Sequence, residues 1–487
     1  MRLMSICLIA ALLLSACSSA KSSPTATNFE YTPSVAPSIL PTESAQGTPY
    51  HGPGTTPTTI PSFVPTQTAQ GTPYPEPGTG IQVTVTGKSG LTQTPEISLT
   101  PTERPFHTAE PPPESATQTI TIWHSWDAVD AQTLDYLISA FQDLHPDVFF
   151  DVLYVPYDEL QAKYEIEAYQ GGGPSIVLGP AEWGVSFYDE GLVVDLTDIA
   201  GEAFLAEINP AALGEVSYKD ALIGLPYAIR VGVLLFRNKL IVPVAPETYD
   251  DLVSFAQAAT RGGKVGAYLE RGFYYSSGHL YGIGGQLMDE DGYPMFNNQK
   301  GVEWLNLLDS FEEAGATEFE GDRDLELFKA GKVGMIIDGS WNIPDIQKAI
   351  GVDNLAIDPW PVYKDGNLSG FVQTDNLYLN SNLTAEERYP ALQFMGFFLA
   401  RNVQAILAQE GHIPAVLNVE VDDPLIEQAM IAFEKGTSYP LIPVMGIYWG
   451  PMQQAMQAVF AGEATPEDAL EQADQMITES LDAHNDF

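Results

Sequence analysis

The sequence predicts an α/β fold for the part of the chain that follows residue 118. Short runs rich in β-branched residues alternate there with longer segments whose apolar residues recur at helical spacing. Thr119 to Trp123 has the alternating pattern of a strand, and Ala128 to Leu144 has the pattern of an amphipathic helix. Such alternation is typical of helices that pack on parallel sheets.

The same alternation continues along the chain. We expect a strand from Val148 to Val155, a helix from Asp158 to Gln170 and a short buried strand from Ser175 to Leu178. The pattern persists to about Asn380, after which helices dominate. A later amphipathic helix, Gly301 to Ala314, carries Trp304 on its apolar face, so we expect Trp304 to be a core residue.

The N-terminus has the features of an export signal. Arg2 precedes an apolar run from Leu3 to Leu14, which is too short to span a bilayer that needs roughly 20 residues. The run ends in Leu14-Ser15-Ala16-Cys17, which resembles a bacterial lipobox. We therefore expect residues 1–16 to be a signal peptide and Cys17 to be the lipidated first residue of an exported chain. The chain would be anchored to the outer face of the bacterial cytoplasmic membrane, or lie in the periplasm if the cell has an outer membrane.

Residues 17–118 have the composition of a tether. Pro, Thr, Ser and Gly dominate from Ser18 to Thr117, and bulky apolar residues are too few to form a core. The hexapeptide Ala-Gln-Gly-Thr-Pro-Tyr occurs at 45–50 and again at 69–74. A proline-rich tether extends by up to ~3 Å per residue, which would hold the folded part away from the lipid.

Charge and cysteine content exclude several classes of function. The formal net charge of −43 excludes a nucleic-acid partner, which requires a basic surface, and disfavours an anionic ligand. The sequence has two cysteines, and we expect one to leave with the signal peptide and the other to carry lipid. We therefore expect no disulfide, no metal site and no bound cofactor. Gly171 to Gly173 lacks the Gly-Lys-Ser/Thr of a phosphate loop.

Several motifs in order resemble extracellular solute-binding protein family 1, whose best-known members bind maltose and other oligosaccharides. The resemblance covers about residues 119–487. The matching segments are Ile120-Thr121-Ile122-Trp123-His124-Ser125-Trp126, Tyr154-Val155-Pro156-Tyr157-Asp158-Glu159-Leu160, Gly224-Leu225-Pro226-Tyr227, Leu234-Leu235-Phe236-Arg237-Asn238-Lys239, and Phe328-Lys329-Ala330-Gly331-Lys332-Val333-Gly334-Met335 leading into Asp338-Gly339-Ser340-Trp341.

The resemblance implies a two-lobed, type II periplasmic-binding-protein-like fold. Each lobe would be discontinuous, with 119–227 and 375–418 in the N-lobe and 228–374 and 419–487 in the C-lobe. Hinges would lie near Tyr227-Ala228 and Gln373-Thr374, and the lobes would close on a ligand. The resemblance also implies that a monomer delivers a mono- or oligosaccharide to an ABC permease with a separate ATPase. It implies no catalysis.

A neutral sugar needs flat aromatic faces for its C–H patches and polar side chains for its hydroxyl groups. Residues of both kinds stand in loops or at strand ends. Trp341 and Trp449 also resemble sugar-stacking positions of the family. Trp123 and His124 fit either a core or a cleft. The predicted ligand contacts are Trp126, Asp127, Glu182, Trp183, Tyr227, Arg230, Tyr274, Tyr275, Trp341, Asn376, Tyr448 and Trp449.

Two other functions fit some of these residues. His124, Ser125 and Asp127 include the residue types of an acyl-transfer triad, but residues so close in sequence seldom reach triad geometry, and no Gly-x-Ser-x-Gly motif is present. A pair of acids for glycoside hydrolysis stays open. Tyr274 and Tyr275 form the kind of phenolate pair that ferric-ion-binding relatives use.

Overall fold

The structure is a computed structural model that describes residues 117–485. Its strands are β1 Gln118–His124, β2 Val148–Tyr154, β3 Ile176–Pro180, β4 Ser217–Tyr218, β5 Ala221–Leu222, β6 Leu225–Asn238, β7 Tyr268–Glu270, β8 Ala316–Glu318, β9 Met335–Gly339, β10 Leu355–Asp358, β11 Val362–Tyr363, β12 Gly366–Asn367, β13 Phe371–Leu379, β14 Ile413–Pro414 and β15 Thr437–Ser438.

The helices alternate with these strands and predominate after β13. They are α1 Ala128–Leu144, α2 Tyr157–Tyr169, α3 Gly184–Asp189, α4 Glu202–Leu205, α5 Pro210–Gly214, α6 Tyr249–Ala259, α7 Phe273–Gly282, α8 Gln299–Ser310, α9 Arg323–Lys329, α10 Ile343–Ile350, α11 Ala385–Phe398, α12 Arg401–Gln409, α13 Pro424–Phe433, α14 Met445–Phe460 and α15 Pro466–Asn485. The expected signal peptide, Cys17 and the tether lie outside the described residues, apart from the last residues of the tether.

The main sheet is mixed, whereas the sequence predicted parallel sheets. It has nine strands in the order β10-β6-β13-β3-β1-β2, with β9 and β14 also paired to β6 and β15 to β13. The pairs β1–β2 and β1–β3 are parallel, but β13 runs antiparallel to both β3 and β6. The prediction failed at β6 and β13 because their pairing joins segments more than a hundred residues apart, which local patterns do not reveal.

Strand β6 extends from one half of the sheet into the other. This 14-residue strand pairs with β13 from Leu225 to Gly232 and with β14 at Ala228 and Ile229. It pairs with β9 and β10 from Val233 to Asn238. Strand β13 also serves both halves, because Phe371 and Val372 pair with β15 while its C-terminal part pairs with β3. Both halves of the molecule are therefore connected through β6 and β13.

Two apolar cores flank these shared strands. The first core extends from β1, β2, β3, α1 and α11 to β9, α10, β10 and α13, and the second lies among α7, α8, α14 and α15. Alternating side chains of β6 point to opposite faces, so Leu234 and Phe236 join the first core while Val233 and Leu235 join the second. The second core also contains Trp304, whose side chain is fully buried as the sequence predicted.

Helix α1 has the bounds that the sequence predicted. Asp127 caps its N-terminus by accepting a hydrogen bond from the Val129 amide, and Leu134, Leu137 and Phe141 are buried on one face.

Within residues 117–485 no single helix is long and apolar enough to cross a membrane. Helices α11 and α12 would pass that test only as a pair, and they meet at a bend of 62°.

Candidate ligand-binding cleft

Arg230 lies where β6 passes between the two cores and contacts two carboxylates. One belongs to Glu182, in the 3-10 turn that follows β3, and the other to Asp375 on β13, whose Oδ1 is 3.3 Å from Arg230 Nε. Burial disfavours the guanidinium charge, but Asp375 and Glu182 outweigh this effect and raise the pKa of Arg230. The positive charge of Arg230 is therefore matched by protein carboxylates.

Gln373 on β13 connects this ion-pair group to the second core. Its Nε2 donates to Glu182 Oε1 at 2.9 Å, and its Oε1 accepts from the Tyr274 hydroxyl at 3.3 Å. Tyr274 lies in the first turn of α7 and packs against the second core. A continuous series of polar contacts thus runs from Asp375 through Arg230, Glu182 and Gln373 to Tyr274.

Aromatic side chains gather around Tyr274. Its ring stacks on Trp449 with centroids 6.4 Å apart and planes 14° apart, and it lies 6.2 Å from both Trp341 and Tyr439. Tyr275 is 6.4 Å from Trp341. We call these residues the aromatic cluster: Tyr274, Tyr275, Trp341, Tyr439 and Trp449. All keep some exposed surface, and Trp341 is 38% exposed.

The turn after β9 holds Trp341 in place. Asp338 Oδ1 accepts from the Gly339 amide at 2.6 Å and from Asn342 Nδ2 at 3.0 Å, which closes the 3-10 turn Ser340–Asn342. The Trp341 ring lies against Gly339, where a Cβ atom would stand 2.2 Å from ring carbons. Asp338 itself is buried, and burial raises its pKa to about 6.

Tyr157, which the sequence did not single out, brings an exposed aromatic ring to the ion-pair group. It is the first residue of α2, is 53% exposed, and has its ring 5.5 Å from that of Trp183. Burial of part of the ring raises its pKa, while the nearby Arg230 charge opposes that rise. The Tyr154-Val155-Pro156-Tyr157 motif marked this turn, but nothing local indicates which ring is exposed.

The structure places several predicted ligand contacts in the cores. Trp126 donates from Nε1 to the Tyr227 hydroxyl at 3.0 Å and stacks on His412, and both Trp126 and Tyr227 are buried in the first core. Tyr448 is fully buried and donates to the Gly292 carbonyl at 2.7 Å. These aromatic side chains satisfy their polar groups inside the protein, so we correct their assignment to the cleft.

Three further predicted contacts are also accounted for within the fold. Asn376 is fully buried and hydrogen-bonds to Thr374 and Tyr378. Trp183 is 6% exposed and packs with Phe187 beneath Tyr157. Asp127 is the exposed cap of α1.

The two remaining ambiguous residues, Trp123 and His124, are buried at the end of β1. His124 Nδ1 accepts from the Trp126 amide at 3.1 Å, a bond that supports the loop itself.

Of the predicted contacts, the structure brings together Glu182 with Arg230 and, separately, Tyr274, Tyr275, Trp341 and Trp449. Gln373 joins the two groups.

Two cavities border the aromatic cluster. One of about 320 Å³ is lined by Phe273, Tyr274 and Tyr275 on one side and by residues 320–322 on the other. A larger cavity of about 780 Å³ shares only Tyr439 with the cluster and is lined by Glu215 and by Met288 to Asp291. Because Tyr274 and Tyr275 of the cluster line the smaller cavity, we place the candidate site at the aromatic cluster and the ion-pair group.

Comparison with known proteins identifies the family. Residues 136–433 match the family model described as bacterial extracellular solute-binding protein. The chain belongs to this family of solute-binding proteins.

A galactooligosaccharide-binding protein of Bacillus subtilis (strain 168) is 27% identical over 381 residues, covering 73% of this chain and 87% of the relative. A maltotriose-binding protein of Pyrococcus abyssi (strain GE5 / Orsay) is 23% identical over 360 residues, covering 70% and 77%.

Solved structures of other solute-binding proteins have the same two-lobed fold. A cyclo/maltodextrin-binding protein complexed with maltotetraose is 26% identical with a TM-score of 0.64, over 74% of this chain and 97% of that one. An extracellular solute-binding protein from Staphylococcus aureus in complex with maltose has a TM-score of 0.67 at 20% identity, over 75% and 98%. The family and the fold class that the sequence predicted are confirmed.

Within residues 117–485, no group of three or more His, Cys, Asp or Glu side chains is arranged to hold a metal ion. Tyr274 and Tyr275, the pair considered for ferric ion, meet edge to face with centroids 5.6 Å apart. Tyr274 donates its hydroxyl hydrogen to Gln373. The arrangement around Tyr274 is that of a neutral, hydrogen-bonded phenol among aromatic rings.

Proposed function

We propose that this solute-binding protein captures a neutral oligosaccharide between its lobes and delivers it to an ABC permease. The observation that supports a sugar is the aromatic cluster. Tyr274 and Trp449 lie nearly parallel while Trp341 stands exposed beside them. Aromatic faces of this kind contact the C–H patches of sugar rings and lose little conformational entropy on binding.

The charge of the ion-pair group supports a neutral ligand. Arg230 is the cation of this group, and its charge is already matched by Glu182 and Asp375. An anionic ligand would have to displace one of these carboxylates, at the cost of leaving it without its partner. Neutral hydroxyl groups avoid that cost because they can donate to Glu182 while its ion pair with Arg230 remains.

The known ligands of relatives support the same class. The Bacillus subtilis relative is named for galactooligosaccharides, the Pyrococcus abyssi relative for maltotriose, and the solved cyclo/maltodextrin-binding protein holds maltotetraose. These sugars share several linked hexose rings and carry no charge. We therefore propose a neutral oligosaccharide rather than a particular sugar, and we propose no catalytic step.

The strands shared by both halves of the sheet support lobe closure. We propose the layout that the sequence suggested, with 119–227 and 375–418 in an N-lobe and 228–374 and 419–487 in a C-lobe. Both proposed hinges fall on β6 and β13, which are the strands that pass between the two cores. Glu182 and Tyr157 of the N-lobe would then face the aromatic cluster of the C-lobe, and ligand would bind as the lobes close.

We further propose that Cys17 carries lipid and holds a monomer at the outer face of the cytoplasmic membrane. The apolar segment that ends in Leu14-Ser15-Ala16-Cys17 supports this anchoring. Cys17→Ala should abolish incorporation of labelled fatty acid, and the wild-type protein serves as the positive control. Labelling that persists in the variant would contradict anchoring at this residue without affecting the proposed ligand class.

Calorimetric titration of the purified protein tests the proposed function. The panel contains maltotriose, maltotetraose and a galactooligosaccharide, with a uronic-acid oligosaccharide of equal length as the charged control. We expect binding to at least one neutral sugar, a matching rise in melting temperature by mass action, and no binding of the charged control. Tight binding of the uronic-acid sugar alone, or no binding of any neutral sugar, would overturn the proposal.

A further inference from the structure

Gln373 occupies the point where the ion-pair group meets the aromatic cluster. Its side chain is 8% exposed, and its backbone pairs with Val231 of β6. The two ends of its amide serve different partners, because Nε2 is 2.9 Å from Glu182 Oε1 and Oε1 is 3.3 Å from the Tyr274 hydroxyl. The sequence predicted only that Gln373 lies at a hinge, with no role in recognition.

Chemistry fixes the direction of both hydrogen bonds. The ion-paired carboxylate of Glu182 accepts hydrogen bonds and cannot donate them, so the NH₂ group of Gln373 must face it. The carbonyl oxygen of Gln373 then faces Tyr274 and has only lone pairs to offer. Tyr274 must therefore donate its hydrogen to Gln373, and burial, which raises the pKa of Tyr274, keeps that hydrogen in place.

This arrangement determines what the two neighbours of Gln373 offer to a ligand. Because the Tyr274 hydroxyl donates its hydrogen to Gln373, its oxygen can only accept a hydrogen bond from a ligand. Glu182 Oε1 is occupied by Arg230 and Gln373, and within residues 117–485 the structure records no protein donor on its Oε2. Both groups therefore accept hydrogen bonds from a ligand.

We propose that Gln373 is a positioning residue that makes this part of the site an acceptor of hydrogen bonds, so that the bound sugar must present a pair of free hydroxyl groups to Tyr274 and Glu182. The inference rests on the proposed function and narrows it. Sugars whose hydroxyls at this place are etherified, esterified or replaced by fluorine keep their ring shape but lose the required donor.

Variants at position 373 test the positioning role through the pH profile of binding. Gln373→Glu is nearly isosteric, but its ionised carboxylate cannot donate to Glu182 and is repelled by it. Once protonated, it can donate again. The charged and titratable groups around this position are Glu182, Arg230, Asp375, Glu215, Tyr157, Tyr274 and Tyr439. Each affinity is therefore expressed relative to the wild type at the same pH to remove their own titration.

Near neutral pH, we expect Gln373→Glu to bind the tightest-binding sugar of the panel about tenfold more weakly than the wild type does. This difference in affinity should disappear as the pH falls and the carboxyl group introduced at position 373 becomes protonated. The leucine of Gln373→Leu can neither donate nor accept a hydrogen bond, so this variant should bind the sugar about tenfold more weakly than the wild type at every pH. Circular dichroism and melting temperature establish that each variant is folded. Wild-type affinity in both variants near neutral pH would overturn the inference.

A ligand-side experiment is independent of folding. Maltotriose derivatives that each carry one fluorine in place of one hydroxyl are titrated into the wild-type protein. At least two positions should lose about tenfold in affinity, and the same two should lose less in Gln373→Leu. Equal losses in both proteins would overturn the inference. If the wild type binds none of the panel sugars, the proposed function fails and this inference fails with it.

Discussion

The indole of Trp341 lies directly against Gly339, so that a methyl group on residue 339 would stand 2.2 Å from its ring atoms. Gly339 has φ −82° and ψ 149°, which any residue can adopt. The requirement for glycine here is purely steric. Gly179 bears the same relationship to Trp183, with ring atoms also 2.2 Å from a Cβ atom.

Gly339→Ala should weaken ligand binding and leave stability nearly unchanged. Trp341 is 38% exposed, so its ring can move into solvent at little cost, but it then leaves the aromatic cluster. Gly179→Ala should instead lower the stability of the protein and leave its ligand affinity nearly unchanged. Trp183 is 6% exposed, and overpacking a buried ring costs about 1–3 kcal/mol. Calorimetry and urea unfolding on both variants check this contrast. An unaltered affinity in Gly339→Ala would contradict it.

Trp341→Ala and Trp304→Ala should separate binding from stability in the same way. Loss of an aromatic anchor commonly costs about 2 kcal/mol, so Trp341→Ala should weaken binding by roughly thirtyfold while the protein stays folded. Trp304 is fully buried and donates to the Ser276 carbonyl at 3.0 Å. Its removal should cost about 3–5 kcal/mol of stability, while the folded fraction keeps its affinity. Matched thermal melts and titrations give both quantities.

Arg230→Met should destabilise the protein in a manner that depends on pH. Without the guanidinium, Glu182 and Asp375 lose their partner, which we expect to cost about 2 kcal/mol near neutral pH. Burial already raises the pKa of Asp375 to about 6 against the opposing effect of Arg230, so acid protonates it and relieves the loss. The surface pair Arg401 and Glu207 provides the control, since Arg401→Met should have little effect. Urea unfolding at two pH values measures the difference.

The free energy of unfolding should fall as pH rises from mildly acidic to mildly basic. Burial raises the pKa of Glu270 to about 7 and that of Asp324 to about 8. Unfolded carboxyls titrate near pH 4, so between about pH 4 and 8 the folded protein retains protons that the unfolded chain has released. Stability is therefore greatest at the acidic end of that window and declines towards its basic end.

Asp324→Asn isolates part of this dependence. Asp324 is 3% exposed and faces Asp338, Glu270 and Glu318, and an amide at this position does not ionise. Each such proton contributes up to about 1.4 kcal/mol for every pH unit in the window. The slope of unfolding free energy against pH should be shallower in the variant. A slope equal to that of the wild type would show that Asp324 is not the group that titrates.

The sequence predicted those features that depend on local pattern. Helix α1 has the expected bounds because its Asp127 cap and apolar spacing are both local signals. Trp341 could be placed in a turn because Asp338-Gly339-Ser340 follows a strand and precedes a helix. The family motifs predicted the two-lobed fold, and the similarity to solved solute-binding proteins confirms it.

The sequence could not separate cleft from core. Trp126 and Tyr448 are aromatic residues near expected loops, just as Trp449 is, yet both are buried and hydrogen-bonded within the protein. That difference arises from tertiary packing between distant segments. Gln373 and Asp375 gave no local signal either, because their importance depends on β13 lying beside β6 and on Arg230 reaching Glu182 from there.

Strand β6 contributes alternate side chains to both cores, so the two cores share one strand. Loss of the second core would remove the partners of Val233 and Leu235, and the same strand carries Leu234 and Phe236 of the first. Separate unfolding of one core would expose one face of this stretch of β6 while its other face stayed packed. We therefore expect the two cores to unfold in one common step, because β6 holds them together until both are lost.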